Sequence, residues 1–251
     1  MLNIQNLTAG YGRETVLQNL SAAFPPGQVT ALIGPNGSGK STLLKSIAGI
    51  LPSRGNILLN GTDLTALPLK ERAKHVAYLP QNRPLPEITA ERLVLHGRFP
   101  YLSYPRRYRP EDYAKAQAAI ETMGISDLAH RELSTLSGGQ RQKVYIAQAL
   151  AQETPVILLD EPTTYLDIAH QISLMAQLRT LAASGKTVLL VLHDLPLALE
   201  HAHQIALLHN HQITAQGSPE EIYASPEIQK AFGIAIKRVQ TEFGMKYFCE
   251  I

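Results

Sequence analysis

The chain has 251 residues, 45% of them hydrophobic and 18% charged, with 23 Lys and Arg against 21 Asp and Glu. This is globular composition, and it excludes collagen-like, coiled-coil and disordered classes. The formal net charge of +2 is well below the basic excess that marks a nucleic-acid binder by itself. One large domain with an inserted subdomain is expected at this length.

The longest apolar run, Val188 to Leu192, has five residues, against the ~18 or more that a membrane-spanning helix requires. The opening Met-Leu-Asn-Ile-Gln-Asn has neither the basic start nor the apolar stretch of a secretory signal. A single cysteine, Cys249, permits no intrachain disulfide, so a reducing cytoplasm is the expected setting.

In chain order, Leu2, Ile4 and Leu7, a turn around Gly10 and Gly12, then Val16, Leu20 and Phe24 predict strands. Val29 to Ile33 predicts a short strand that runs into a glycine-rich loop, and Leu43, Leu44, Ile47 and Ala48 after Ser41 have helical spacing. Ile57 to Leu59 and Val76 to Leu79 predict further strands. Between Gln81 and Ser137, prolines at 84, 86, 100, 105 and 110 separate short helical stretches, including Glu111 to Met123.

The second half alternates between the two periods. Helices are expected at Gln140–Ala151, Ile168–Ala183 and Leu195–His201, and buried strands at Val156–Leu159 and Val188–Leu192. Continuous apolar strands between helices predict a parallel sheet covered on both faces. Gln204–Leu208 and Gln212–Ala215 read as two short strands before a helix opened by Ser218-Pro219-Glu220-Glu221.

Gly34-Pro35-Asn36-Gly37-Ser38-Gly39-Lys40-Ser41 fits G-x-x-x-x-G-K-S/T between a predicted strand and a predicted helix. Such a loop wraps phosphate oxygens with backbone N–H groups at the positive end of the following helix. Lys40 then neutralises the β- and γ-phosphates, and Ser41 ligates Mg²⁺. A second requirement is an acid cluster, which Val156-Ile157-Leu158-Leu159-Asp160-Glu161 supplies at the end of a buried strand. There Asp160 can hold Mg²⁺ through its water shell while Glu161 polarises the attacking water. If the strand ending at His193-Asp194 lies beside this one, its imidazole can reach the γ-phosphate.

Leu136-Ser137-Gly138-Gly139-Gln140 opens another predicted helix and makes a second anion site by the same argument. Two phosphate loops for one triphosphate tail suggest two chains packed head to tail with ATP sandwiched between them.

Taken together these residues resemble the ATP-binding cassette (ABC) superfamily over nearly the whole chain. Tyr11 resembles the aromatic that stacks on adenine, Gly34 to Ser41 the first nucleotide motif, and Thr42 an α-phosphate contact. Gln81 resembles the glutamine that joins metal and water to the membrane partner. Ser137, Gly138, Gly139 and Gln140 match the superfamily signature, and Asp160 and Glu161 its Mg²⁺ residue and catalytic carboxylate. Asp167, in Tyr165-Leu166-Asp167, resembles the aspartate that crosses the dimer interface, and His193 the switch histidine.

The resemblance implies an α/β fold: a P-loop NTPase core with a mainly parallel sheet, an N-terminal antiparallel β subdomain and an inserted helical subdomain. The core is expected over residues 1–81 and 153–251, and the helical subdomain with the signature over 82–152. It further implies ATP hydrolysis, a homodimer closed by ATP, and docking of two transmembrane permease subunits in the groove after Gln81. The ATPase would then sit peripherally on the cytoplasmic membrane face, served indirectly by an extracytoplasmic substrate-binding protein.

Gly97-Arg98-Phe99-Pro100-Tyr101 and the stretch from Thr163 to Gln171 look like the importer group that handles iron-siderophore, haem and cobalamin. A ferric chelate is the first expectation, haem or cobalamin the next. A soluble cassette ATPase in iron-sulfur assembly or a nucleic-acid process is the alternative.

Two local features admit other readings. Arg98, Arg106, Arg107 and Arg109 interleave with Tyr101, Tyr104 and Tyr108, which could stack on bases, form a solvated loop, or border the permease groove. The last is preferred, and no nucleic-acid partner is expected. His201, His203, His209 and His211 form two H-x-H pairs that would share a strand face; solvated side chains are expected rather than a metal site.

Overall fold

Along β3 (Val29–Ile33) consecutive side chains enter two different cores: Val29, Ala31 and Ile33 point to one, Leu32 to the other. The same split occurs in β7 (Val156–Leu159) and β8 (Thr187–Val191), because neighbouring strand residues face opposite sides. A strand covered on both faces has no solvent side, so its sequence is apolar throughout instead of alternating. The structure, a computed structural model, describes every residue except Tyr165, Phe243 and Ile251.

These strands form the middle of a six-stranded sheet completed by β6 (Val76–Leu79), β9 (Gln204–His209) and β10 (Gln212–Gly217), in the order β10-β9-β3-β8-β7-β6. β9, β3, β8, β7 and β6 are parallel and β10 is antiparallel at one edge. A separate antiparallel sheet holds β1 (Leu2–Tyr11), β2 (Glu14–Phe24), β4 (Ser53–Leu59) and β5 (Thr62–Asp63), in the order β2-β1-β4-β5. Between the two sheets runs α1 (Lys40–Ala48), whose Leu43, Leu44 and Ile47 are fully buried. Its C-terminus closes on Gly49, and the buried Arg72, at the end of α2 (Leu69–Arg72), donates through Nε to the Ile47 carbonyl (2.9 Å) and through Nη2 to the Ser46 carbonyl (2.6 Å). A cation there satisfies orphan carbonyls and opposes the negative helix end.

The other face of the large sheet is covered by α6 (Ile168–Ala183) and α7 (Leu195–His201), and its core continues into a helical layer. That layer contains α3 (Ala90–His96), α4 (Pro110–Thr122) and α5 (Gly138–Ala151), which pack on one another.

The expected strand at Val188–Leu192 runs over Thr187–Val191, although the Leu192 N–H still donates to the Leu32 carbonyl at 3.2 Å. Beyond the helix opened by Ser218 (α8, Pro219–Ala224), the chain forms α9 (Glu227–Phe232) and a hairpin of β11 (Ala235–Thr241) and β12 (Gly244–Glu250). No helix among the described residues is long and apolar enough to cross a membrane.

Candidate active site

In a parallel sheet the crevice at the C-terminal strand ends is the natural ligand site. Here β7, β8 and β3 are adjacent, so their C-terminal ends bring Asp160–Glu161, His193 and the glycine loop to one place.

The loop is shaped by close approach. A Cβ on Gly34 (φ 154°) would lie 2.1 Å from the Leu208 carbonyl, and one on Gly39 (φ 105°) 2.7 Å from Leu17 Cδ2, so neither position accepts a side chain. Lys40 is 6% exposed, and its Nζ donates to the Gly34 carbonyl (2.7 Å) and the Pro35 carbonyl (2.9 Å). The side chain thus braces the loop from inside. Burial pushes its ammonium pKa down, and Glu161 and Asp160 pull it back up. The Ser38 hydroxyl is buried and has no hydrogen-bond partner among the described residues.

Asp160 is 2% exposed and receives the Ser41 hydroxyl on Oδ1 (3.0 Å) and the Tyr78 hydroxyl on Oδ2 (3.1 Å). Burial holds its carboxyl above the usual range, and those two hydrogen bonds oppose the rise. Tyr78 is pushed up in turn, by burial first and then by the Asp160 charge. The oxygens of Ser41 and Asp160 therefore sit together in a partly dehydrated recess, a donor set of hard oxygens suited to Mg²⁺.

Glu161 draws together three side chains at the strand ends. Its Oε2 accepts from Gln81 Nε2 at 2.6 Å and from the Thr164 hydroxyl at 3.3 Å, while its Oε1 lies 2.6 Å from His193 Nε2. Its backbone is left-handed (φ 52°), a strain of about 1–3 kcal/mol for a side chain of this kind.

The remaining residues singled out in the sequence make no side-chain hydrogen bond to Glu161 or Asp160 among the described residues. Tyr11 is half-exposed, with Lys45 Nζ 5.8 Å from its ring centroid, and Thr42 is buried. Pro35 is half-buried, Asn36 and Gly37 are exposed, and a Cβ on Gly37 would meet nothing within 4 Å. Ser137 and Gln140 form a reciprocal cap on α5, Gln140 N–H to Ser137 Oγ at 3.3 Å and Ser137 N–H to Gln140 Oε1 at 3.0 Å. Ser137 and Gly138 are exposed, Gly139 is half-buried, and the cap bonds stay within the helix end. Asp167 caps α6, accepting the His170 N–H at 2.9 Å. Tyr165 lies outside the described residues.

Sequence reasoning passed over Tyr78, Thr164 and Arg83. Tyr78 carries a polar tip inside an otherwise apolar strand, which was a usable signal. Arg83 donates to Gln142 Oε1 (2.9 Å), and Gln142 donates to the Pro162 carbonyl (2.7 Å), joining the segment after Gln81 to α5. Beyond Gln81 a groove of about 480 Å³ opens, lined among others by Ile50, Leu79, Pro84, Phe99 and Tyr145.

Two subsidiary readings are corrected. Arg98 is not a free cation: it is 4% exposed, bonded to Asp112 Oδ1 (3.0 Å) and stacked 4.0 Å above Tyr101. His201 and His203 are not on a strand, and His203, half-buried, accepts the Val29 N–H on Nδ1 at 3.0 Å. Among the described residues no group of three or more His, Cys, Asp or Glu could hold a metal.

A glycine loop braced by a buried lysine, beside a strand ending in a buried aspartate and a hydrogen-bonded glutamate, defines a P-loop nucleoside triphosphatase. Residues 17–164 match the family model described as ABC transporter. The chain is 44% identical over 242 residues to the achromobactin transport ATP-binding protein CbrD of Dickeya dadantii, covering 95% of this chain and 90% of that protein. It is 43% identical over 233 residues to the ferric enterobactin transport ATP-binding protein FepC of Escherichia coli, with 92% and 86% covered. A dimeric ATP-binding cassette solved in a post-hydrolysis state with ADP and Pi superposes with a TM-score of 0.75 at 28% identity, covering 87% of this chain and 99% of that one. The chain belongs to the ABC transporter family, and it is an ATP-hydrolysing enzyme.

Proposed function

We propose that this chain is the ATP-hydrolysing subunit that energises import of an iron-siderophore or another ferric chelate, with haem or cobalamin as the next substrates. The names of the relatives support ferric-chelate import and speak against a soluble role in iron-sulfur assembly or nucleic-acid work. The observation that carries the reading is the Glu161 hub, a carboxylate held from opposite sides by Gln81 and His193 at a strand end next to the phosphate loop.

In this reading the loop from Gly34 to Ser41 and Thr42 hold the triphosphate and Tyr11 stacks on adenine. Glu161 accepts a proton from water as the water oxygen attacks the γ-phosphorus, the bond to the β,γ-bridging oxygen breaks, and ADP and phosphate result. Lys40 offsets charge on the phosphates, and His193 orients the water and senses the γ-phosphate. Ser41, Asp160 and Gln81 would hold Mg²⁺, which when bound neutralises charge on the β- and γ-phosphate oxygens.

The signature residues Ser137, Gly138, Gly139 and Gln140 close the site of a second copy, and Asp167 meets that copy across the interface. Dimer closure is then driven by contacts that exist only while the γ-phosphate is present, and hydrolysis releases it. Residues 82–152 act as the helical unit that carries the signature. The groove beyond Gln81 receives two permease subunits, one per copy, and the ATPase sits peripherally on the cytoplasmic membrane face with an extracytoplasmic binding protein delivering substrate.

The test is affinity capture from detergent-solubilised membranes of the host with the Glu161→Gln variant and ATP. Recovery of a polytopic subunit together with a second copy of the chain is expected; a monomer with only soluble partners overturns the reading.

A further inference from the structure

The turn between Leu102 and α4 is anchored at its base and charged at its tip. Lys70 Nζ donates to the Leu102 carbonyl at 2.6 Å, and the Tyr101 hydroxyl donates to the Gln152 carbonyl at 2.8 Å. Arg98 is consumed inside, with Nη1 donating to the Ala151 carbonyl (3.0 Å) and Glu153 (3.2 Å) as well as Nε to Asp112. Arg106, Arg107 and Arg109 by contrast are exposed; the Arg109 backbone N–H donates to Asp112, but none of the three guanidinium groups forms an ion pair among the described residues. Three guanidinium groups within four residues repel one another unless an anion lies between them.

Their place is specific. The Arg106 guanidinium stacks 4.8 Å from the ring centroid of Phe99, which is 49% exposed and lines the 480 Å³ groove. An adjoining hollow of about 410 Å³, lined by His96, Phe99, Leu102, Arg106 and Tyr108, shares His96 and Phe99 with that groove. The apolar floor and the cationic rim are thus one continuous surface.

From this continuity, and resting on the importer reading above, we infer that the turn at 103–109 recognises carboxylates of the membrane subunit. The occupant is a cytoplasmic segment with an apolar face that fills the groove and Asp or Glu side chains at one end that reach Arg106 and Arg107. An amphipathic helix seated in a groove presents side chains in this way, and the planar guanidinium fork fits a carboxylate with paired hydrogen bonds. A nucleic acid is the weaker fit, because Tyr101 and Tyr108 are partly buried and only Tyr104 of the three tyrosines is free to stack. Charge at the rim selects the partner and speeds encounter, while the apolar floor holds it.

The membrane subunit recovered with the wild-type chain serves as the probe. The wild-type chain and the Arg106→Glu/Arg107→Glu and Arg106→Gln/Arg107→Gln variants are titrated against it at about 50 and about 500 mM salt. Wild-type affinity should fall about tenfold or more between the two salts. Charge reversal should weaken low-salt binding at least about tenfold and flatten the salt dependence, the Gln variant should fall between, and basal ATP hydrolysis of the free chain should stay within about twofold of wild type. Replacing the facing carboxylates of the membrane subunit by Lys should restore binding to the reversed chain. Unchanged affinity and salt dependence in the charge-reversed chain, with basal hydrolysis intact, overturns the inference and leaves the importer reading standing. So does saturable binding of a fluorescein-labelled single-stranded oligonucleotide that the charge-reversed chain loses. If the wild-type chain recovers no polytopic subunit, the importer reading fails and this inference with it.

Discussion

His193 Nε2 lies 2.6 Å from Glu161 Oε1, and this pair joins the ends of two neighbouring parallel strands. With Gln81 on the other carboxylate oxygen, two residues from two other segments converge on the Glu161 carboxylate. Glu161→Gln removes the acceptor while keeping shape, so turnover should fall by about 10²–10⁴ with ATP affinity retained. His193→Ala should lower turnover as well. The double variant should be little worse than Glu161→Gln alone, because groups acting as a unit are not additive. Steady-state hydrolysis measured on all three checks this, and unchanged turnover in Glu161→Gln removes that residue from its role.

Lys40 should set nucleotide affinity itself. Its two bonds to the Gly34 and Pro35 carbonyls fix the loop before any phosphate arrives. Lys40→Ala leaves those carbonyls unpaired and removes a cation, so ATP affinity should fall at least about tenfold. Equilibrium binding of a labelled nucleotide measures it; affinity equal to wild type contradicts the bracing role.

Asp160 carries its buried charge at a cost in stability. Its carboxyl is held above its unfolded value mainly by burial. Between the unfolded and folded values the folded chain therefore binds more protons than the unfolded one, and stability is lost as pH rises through that window. At neutral pH the Asp160→Asn chain without nucleotide should melt above wild type, with the gap narrowing as pH falls towards about 4. Addition of Mg²⁺ and ATP should stabilise wild type and not the variant. A lower melting temperature for the variant at neutral pH would show that its hydrogen bonds outweigh the buried charge.

The parallel core was legible because its strands are buried on both faces. Runs such as Val156–Leu159 leave only length and flanking polar residues to interpret, and Asp160-Glu161 marked the strand end. The phosphate loop was legible because its spacing reflects backbone geometry that only glycine at Gly34 and Gly39 can adopt. The hairpin of β11 and β12 was not: in β11 the run from Lys237 to Gln240 is exposed and shows no clean alternation. Arg98 was read as a possible surface cation because sequence gives a charge without its burial. Asp112, its partner, lies 14 residues away on α4, while Arg98 is in the turn after α3.

That pair carries the last prediction. The Arg98 and Asp112 side chains are 5% and 8% exposed, and Asp112 also accepts the Arg109 N–H at 2.9 Å to cap α4. Removing one partner strands the other as a buried charge, so Arg98→Met should destabilise the chain by about 3–5 kcal/mol. Arg98→Met with Asp112→Asn removes both charges while leaving an amide oxygen for the Arg109 N–H, and it should recover part of that loss. Recovery stays incomplete because the Ala151 carbonyl and Glu153 lose the guanidinium in either case. Urea unfolding of the two single variants and the double variant yields the coupling energy. Strictly additive losses would mean that the two side chains act independently despite their 3.0 Å contact.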